Sequence, residues 1–226
     1  MCVKDICVKQ CLHSFRGDKR MFVLQRLARA RLGSVSIPSV LASVFASVFE
    51  AVCFALFLAV GRMLVIVVPW SPVPFTLQTM MLSLTILALE NRAWRAVATY
   101  ILLGLSGVPV FAFGGGLAYI LSPTFGYLLG FLVAAFVAGR LARQAKNLYS
   151  RVLVSLAVLP PVYCLGVLWL SIHIILASNC APLEAFIKAI LAGLAPFLLW
   201  DSMKALAAAL LYDIAVRTSS RSQTLV

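Results

Sequence analysis

Asp201 and Lys204 sit at i and i+3 inside an apolar run, Pro196-Phe-Leu-Leu-Trp-Asp201-Ser-Met-Lys204-Ala-Leu-Ala-Ala-Ala-Leu-Leu-Tyr212, that holds no other charge. A charge inside a membrane helix costs about 2.5–3.5 kcal/mol on translocon scales. At this spacing the two share a helical face and offset each other's cost. An acid accepts hydrogen bonds and a base donates them, so the pair suits a polar molecule held between helices; the alternative is that it only fastens its helix to a neighbour. Thr76 and Gln78 offer neutral hydrogen bonds, unless Gln78 caps its own loop. Tyr127 offers a hydroxyl and a flat face, or interhelical packing. Phe75 and Trp70 cover an apolar ring system or belong to the interfacial aromatic belt. Gly114, Gly115 and Gly116 let a loop approach a ligand closely, act as a lid hinge, or merely connect. They are not a phosphate loop, because no Lys-Ser/Thr pair follows.

The elements that must carry these residues are membrane helices. The chain has 226 residues, 63% of them hydrophobic and 12% charged, with a mean hydropathy of +1.04. Soluble domains are about 45–50% apolar and about 25% charged, so this chain reads as a polytopic membrane protein. The net charge of +12 is not a nucleic-acid footprint. The basic residues are spread over the N-terminus and short segments between apolar runs, where the positive-inside rule places them. Residues 1–34 carry Lys4, Lys9, Arg16, Lys19, Arg20, Arg26, Arg29 and Arg31, and read as an orienting cytoplasmic tail compatible with anionic lipid headgroups. The six cysteines form no CxxC pair and have no zinc spacing with histidine, so they are expected to be unpaired.

Six apolar runs follow: about 41–68, 76–89, 96–111, 124–142, 152–177 and 196–215. Pro69, Pro72 and Pro74 close the first. Glu90-Asn-Arg92-Ala-Trp-Arg95 makes a charged turn, and Arg140, Arg143, Lys146 and Arg151 form a basic loop. Residues 183–194, with Glu184 and Lys188 at i and i+4, fit a short interfacial or re-entrant helix. The loops at 69–74, 112–122 and around Asn179 hold no Lys or Arg. The expected fold is therefore an all-α integral membrane bundle of six transmembrane helices with both termini cytoplasmic. Its expected divisions are a basic segment 1–34, a membrane domain 35–216 and a polar tail 217–226. Ala51, Ala55 and Ala59 repeat every four residues on the first run and would let another helix approach closely, from outside or within the chain.

Four segments in register carry a family resemblance: Val73-Pro-Phe-Thr-Leu-Gln-Thr79; Tyr100-Ile-Leu-Leu-Gly-Leu-Ser-Gly-Val-Pro-Val-Phe111 with Gly114-Gly-Gly; Ser122-Pro-Thr-Phe-Gly-Tyr-Leu-Leu-Gly-Phe131; and Pro196-Phe-Leu-Leu-Trp-Asp-Ser-Met-Lys204. Over about 51–215 the chain resembles the BioY family, the biotin-binding S components of energy-coupling-factor vitamin transporters. The resemblance implies a six-helix bundle that takes biotin from the outside. It also implies association of many members with a transmembrane coupling subunit and ATP-binding-cassette ATPases, some working without a dedicated ATPase. It assigns the Ala51, Ala55 and Ala59 face to the coupling subunit. The chain departs from the family at Ser122 and Trp200, where glycine is usual, in the Glu90–Arg95 turn, and in its long basic N-terminus.

Biotin's ureido group has two N–H donors and a carbonyl acceptor. Asp201 would accept from one or both N–H groups, and Lys204 would donate to the oxygen or hold Asp201 charged. Thr76, Gln78, Tyr127, Phe75 and Gly115 complete the expected ligand set, with no metal and no cofactor. Biotin uptake across the cytoplasmic membrane is the expected function; the alternatives are another small vitamin or a stand-alone biotin transporter. The expected partners are biotin, the coupling subunit with its ATPases, and membrane lipid. The lack of an HExxH, a facing aspartate pair or a Ser/Lys motif argues against an intramembrane enzyme, and the lack of a ring of charge or a filter motif against a channel.

Overall fold

The computed structural model describes residues 37–223; the basic segment 1–34 lies outside the described residues. Every regular element among the described residues is helical. In chain order the α-helices are α1 Ile37–Val60, α2 Gln78–Leu89, α3 Ala93–Leu105, α4 Phe125–Ala142, α5 Leu148–Ala157, α6 Leu159–Ser178, α7 Pro182–Gly193 and α8 Ala195–Gln223, with short 3-10 turns at Glu90–Arg92 and Leu117–Leu121. The chain divides into a short unit ending at Ala46, to which α1 contributes its first turns, and a main unit from Ser47 onward.

Among the described residues, three stretches are long and apolar enough to cross a membrane: 40–60, 125–142 and 148–178. The pair α7 and α8, bent by 42° at Leu194, is a fourth when counted as one span. α2 and α3 have 12 and 13 residues, fewer than the roughly 20 of a typical spanning helix.

The first helix ends earlier than its hydropathy suggests. The run expected to reach residue 68 leaves the helix at Val60, and Gly61 backs onto the start of α2, where an added Cβ would lie 2.9 Å from the Gln78 Cα. Arg62 donates to the Phe111 carbonyl at 2.8 Å, and Glu50 pairs with Arg92 at 2.9 Å. The segment then doubles back, pairing Ile66 with Phe75 through two backbone hydrogen bonds of 2.9 Å. Ser71 fastens it to α7 by donating to the Ala192 carbonyl at 2.7 Å. The third run stops at Leu105 rather than 111. The fifth divides into α5 and α6, with Pro160 and Pro161 in the first turn of α6, where missing N–H groups cost nothing. The tail expected from 217 remains helical to Gln223.

Arg151 is not a loop charge. Asn147 and Ser150 form a reciprocal capping box that starts α5 at Leu148, so Arg151 falls inside the helix and is buried. Its guanidinium bonds Asp213 on α8, packs 5.2 Å from the Tyr212 ring centre, and leaves its Nε without a hydrogen-bond partner.

α4 and α6 share the most extensive helix contact. They meet at Gly126 and Gly130, whose spacing of four lets two backbones come close. A Cβ on Gly130 would lie 2.6 Å from the Val162 Cα and 2.9 Å from the Pro161 carbonyl. Backbone cannot move aside as a side chain can. Gly130→Val is therefore expected to destabilise the detergent-solubilised protein by about 3 kcal/mol or more, read as a lowered thermal unfolding midpoint, while Val133→Ala on the exposed side leaves it nearly unchanged.

Candidate functional site

α2, α4, α6 and α8 enclose one end of the bundle, and the segments 61–77 and 106–124 close over it. Thr76, Gln78, Tyr127, Asp201 and Lys204 line the cavity there. Asp201 is 6% exposed. Its Oδ1 accepts from Lys204 Nζ at 2.8 Å and from Thr79 Oγ1 at 3.0 Å. Its Oδ2 accepts from the Tyr163 hydroxyl at 2.6 Å. Lys204 also donates to the Thr76 carbonyl at 2.7 Å, which ties α8 to the segment 61–77. The three donors, one of them a cation, replace the hydration bonds that burial takes from the carboxylate.

Gln78 is buried and donates through Nε2 to the Tyr100 hydroxyl, which in turn donates to the Val110 carbonyl at 3.0 Å. This chain of bonds seats the segment bearing Ala112 and Tyr119, both on the cavity wall. Burial pushes the Tyr119 phenol above its ordinary range, so it stays a neutral hydroxyl bonded to Thr124 Oγ1 at 2.9 Å. Tyr127 spends its proton on the Gly193 carbonyl at 2.9 Å and presents its ring to the cavity. A Cβ at Gly193 would come within 2.3 Å of that hydroxyl, so glycine is required for the contact.

Two expected ligand residues do not line the cavity. Phe75 stands behind Phe197, their ring centres 4.2 Å apart, and Phe197 supplies the aromatic wall. Gly115 is exposed on the loop; an added Cβ there would lie 2.3 Å from the Val108 carbonyl, so its smallness serves loop packing. Trp200, where the family usually has glycine, is 54% exposed and lies on a separate groove with Leu64 and Ile66. Trp70 is 69% exposed. Ala51 and Ala55 are buried, Ala55 within the main core, and Ala59 is half-buried; the chain's own packing covers the first two.

Sequence reasoning did not single out Tyr163, Thr79, Tyr119, Thr124 or Phe197. Thr79, Thr124 and Phe197 sat inside quoted motifs. Tyr163 lies in an apolar stretch, 38 positions from its partner Asp201, and only the approach of α6 to α8 joins them.

A chain whose described regular elements are all helical and apolar, with a polar cavity between them, is a multi-pass membrane protein. The profile of the BioY family matches residues 34–221, and the chain belongs to that family. The biotin transporter BioY of Thermotoga maritima is 39% identical over 146 residues, covering 64% of this chain and 81% of that protein. The "Probable biotin transporter BioY" of Pyrococcus horikoshii is 36% identical over 144 residues, covering 63% and 80%. A crystal structure of the S-component for biotin from an ECF-type ABC transporter superposes with a TM-score of 0.64 at 22% identity, over 78% of this chain and 93% of that one; it shares the fold.

Proposed function

We propose that the chain takes up biotin as the substrate-capturing S component of an ECF-type transporter, and is a transport component rather than an enzyme. The observation that carries this is the Asp201–Lys204 pair, 2.8 Å apart and buried in the cavity, in a chain of a family whose relatives are biotin transporters. Asp201 takes a ureido N–H and Lys204 the ureido oxygen. Thr76, Gln78 and Tyr127 shape the polar side, Phe75 acts through Phe197, and Gly115 through the seating of its loop.

In this reading the chain lies in the cytoplasmic membrane and crosses it six times, with α5–α6 and α7–α8 each counted as one crossing. The end bearing Arg92, Arg95, Arg140, Arg143 and Lys146 then faces the cytoplasm with both termini, following the positive-inside rule, and the cavity opens outward. The partners are a transmembrane coupling subunit and ATP-binding-cassette ATPases. On α1, Leu56 and Val60 are exposed to such a helix, whereas Ala51 and Ala55 are not.

Equilibrium binding of radiolabelled biotin to the purified, detergent-solubilised chain tests the proposal. Saturable binding that excess unlabelled biotin displaces, and thiamine and riboflavin do not, is expected. Displacement by either of the latter, or no saturable binding, overturns it.

A further inference from the structure

Asp201 collects the protons of its neighbours and so fixes what they can offer a ligand. A tyrosine hydroxyl has one proton and acceptor lone pairs, and a carboxylate has about four acceptor positions. Oδ1 has Thr79 and Lys204 as donors, at 3.0 and 2.8 Å. Oδ2 has only Tyr163, at 2.6 Å, and so keeps one position open. The Tyr163 ring stands between the cavity and a separate apolar groove lined by Leu159, Pro160, Val167, Phe186 and Ile190. Among the described residues the one hydrogen bond of the Tyr163 hydroxyl is the short one it donates to Asp201, so its proton is committed there. Toward a ligand the Tyr163 oxygen can then only accept. Lys204 has two of its three protons on Asp201 and Thr76, leaving one.

We propose that Tyr163 is a positioning and specificity-determining residue: it aims the open Oδ2 position into the cavity and sets an acceptor-only oxygen beside it, so that this wall takes one N–H next to a carbonyl. The ligand edge selected is that of a cyclic urea or amide, with the carbonyl toward Lys204. A ring oxygen in place of that N–H meets two acceptors at once. The inference rests on the biotin reading and refines it, because the two ureido N–H groups become unequal: one is read by Asp201 and Tyr163 together, and the other is not.

The test uses the full chain and three ligands: biotin and the two cyclic-carbamate analogues in which one or the other ureido N–H is replaced by oxygen. In the unsubstituted protein, one analogue is expected to bind about 100-fold or more weaker than biotin. Tyr163→Phe should weaken biotin about 10-fold and shrink the discrimination against that analogue at least 10-fold, leaving the ratio for the other analogue unchanged. Thr79→Val, which removes a donor from Oδ1, should weaken all three ligands by a common factor. A common factor for all three ligands in Tyr163→Phe marks a merely structural role and overturns the proposal, as does unchanged biotin binding. A change of ratio in Thr79→Val equal to that in Tyr163→Phe overturns it too. An unsubstituted chain without affinity for biotin overturns the biotin reading and this refinement together, whereas one that binds biotin while Tyr163→Phe fails loses only the refinement.

Discussion

Asp201→Asn is expected to weaken biotin binding about 100-fold or more, corresponding to about 3 kcal/mol, without unfolding the protein. The side chain keeps its shape but has one acceptor oxygen and one NH₂ donor. Thr79 and Lys204 both donate toward Oδ1, so the amide oxygen must take that side. The NH₂ then occupies the Oδ2 position. There it faces the Tyr163 hydroxyl, which loses its acceptor, and a ligand N–H, which meets another donor. The opposite amide orientation sets NH₂ against the Lys204 ammonium, which is worse. Each buried donor left unpaired costs about 1–3 kcal/mol, and the lost charge-assisted bond adds to it. Direct binding of radiolabelled biotin, with the ligand-free unfolding midpoint measured alongside, separates loss of recognition from loss of fold. Affinity within 3-fold of the unsubstituted protein would remove Asp201 from the site.

The features that sequence reasoning reached are those in which one residue type contrasts with its surroundings. Asp201 and Lys204 interrupt an apolar run, and Thr76, Gln78 and Tyr127 lie in motifs that the family resemblance supplied; all five line the cavity. The short helix at 183–194 was legible from Glu184 and Lys188 and appears as α7, which meets α8 at a 42° bend. What escaped depends on tertiary contact. Residues 63–68 are as apolar as a span, so hydropathy carried the first helix through them. Its end is set by Gly61 against Gln78 and by Arg62 reaching Phe111. The Val65-Ile-Val-Val68 string, β-branched throughout, was an available signal for extended backbone. Tyr163 carried no signal by composition, since a tyrosine in an apolar helix is indistinguishable from packing until its partner is known. The small-residue repeat at Ala51, Ala55 and Ala59 was ambiguous for a related reason, because close approach says nothing about whose helix approaches. Arg151 was grouped with loop charges by adjacency, although the Asn147 and Ser150 box already placed it inside a helix.

That arginine supplies the largest expected effect on stability. Asp213→Ala is expected to destabilise the protein by about 3–5 kcal/mol. Arg151 and Asp213 have side chains only 10% and 9% exposed, so removing the acid leaves a guanidinium held away from water with no counter-charge. Arg151 has no slack to absorb this, since its Nε already lacks a partner and the Tyr212 ring replaces only part of the lost attraction. Arg217 bonds the other oxygen of Asp213 at 2.6 Å but is 70% exposed, and its charge is solvated with or without the acid. Arg217→Ala is accordingly expected to cost less than about 1 kcal/mol. The paired replacement Arg151→Met with Asp213→Leu removes both charges and fills the space with apolar atoms, and should recover most of the stability lost in Asp213→Ala. Thermal unfolding of the three variants in one detergent decides the matter. Equal midpoints for Asp213→Ala and Arg217→Ala would mean that the buried contact between α5 and α8 contributes nothing beyond a surface ion pair. Because this pair lies at the end of the bundle away from the cavity, each variant that folds should bind biotin with unchanged affinity. That outcome would separate the chain's structural ion pair from the one at Asp201 and Lys204, which lines the cavity.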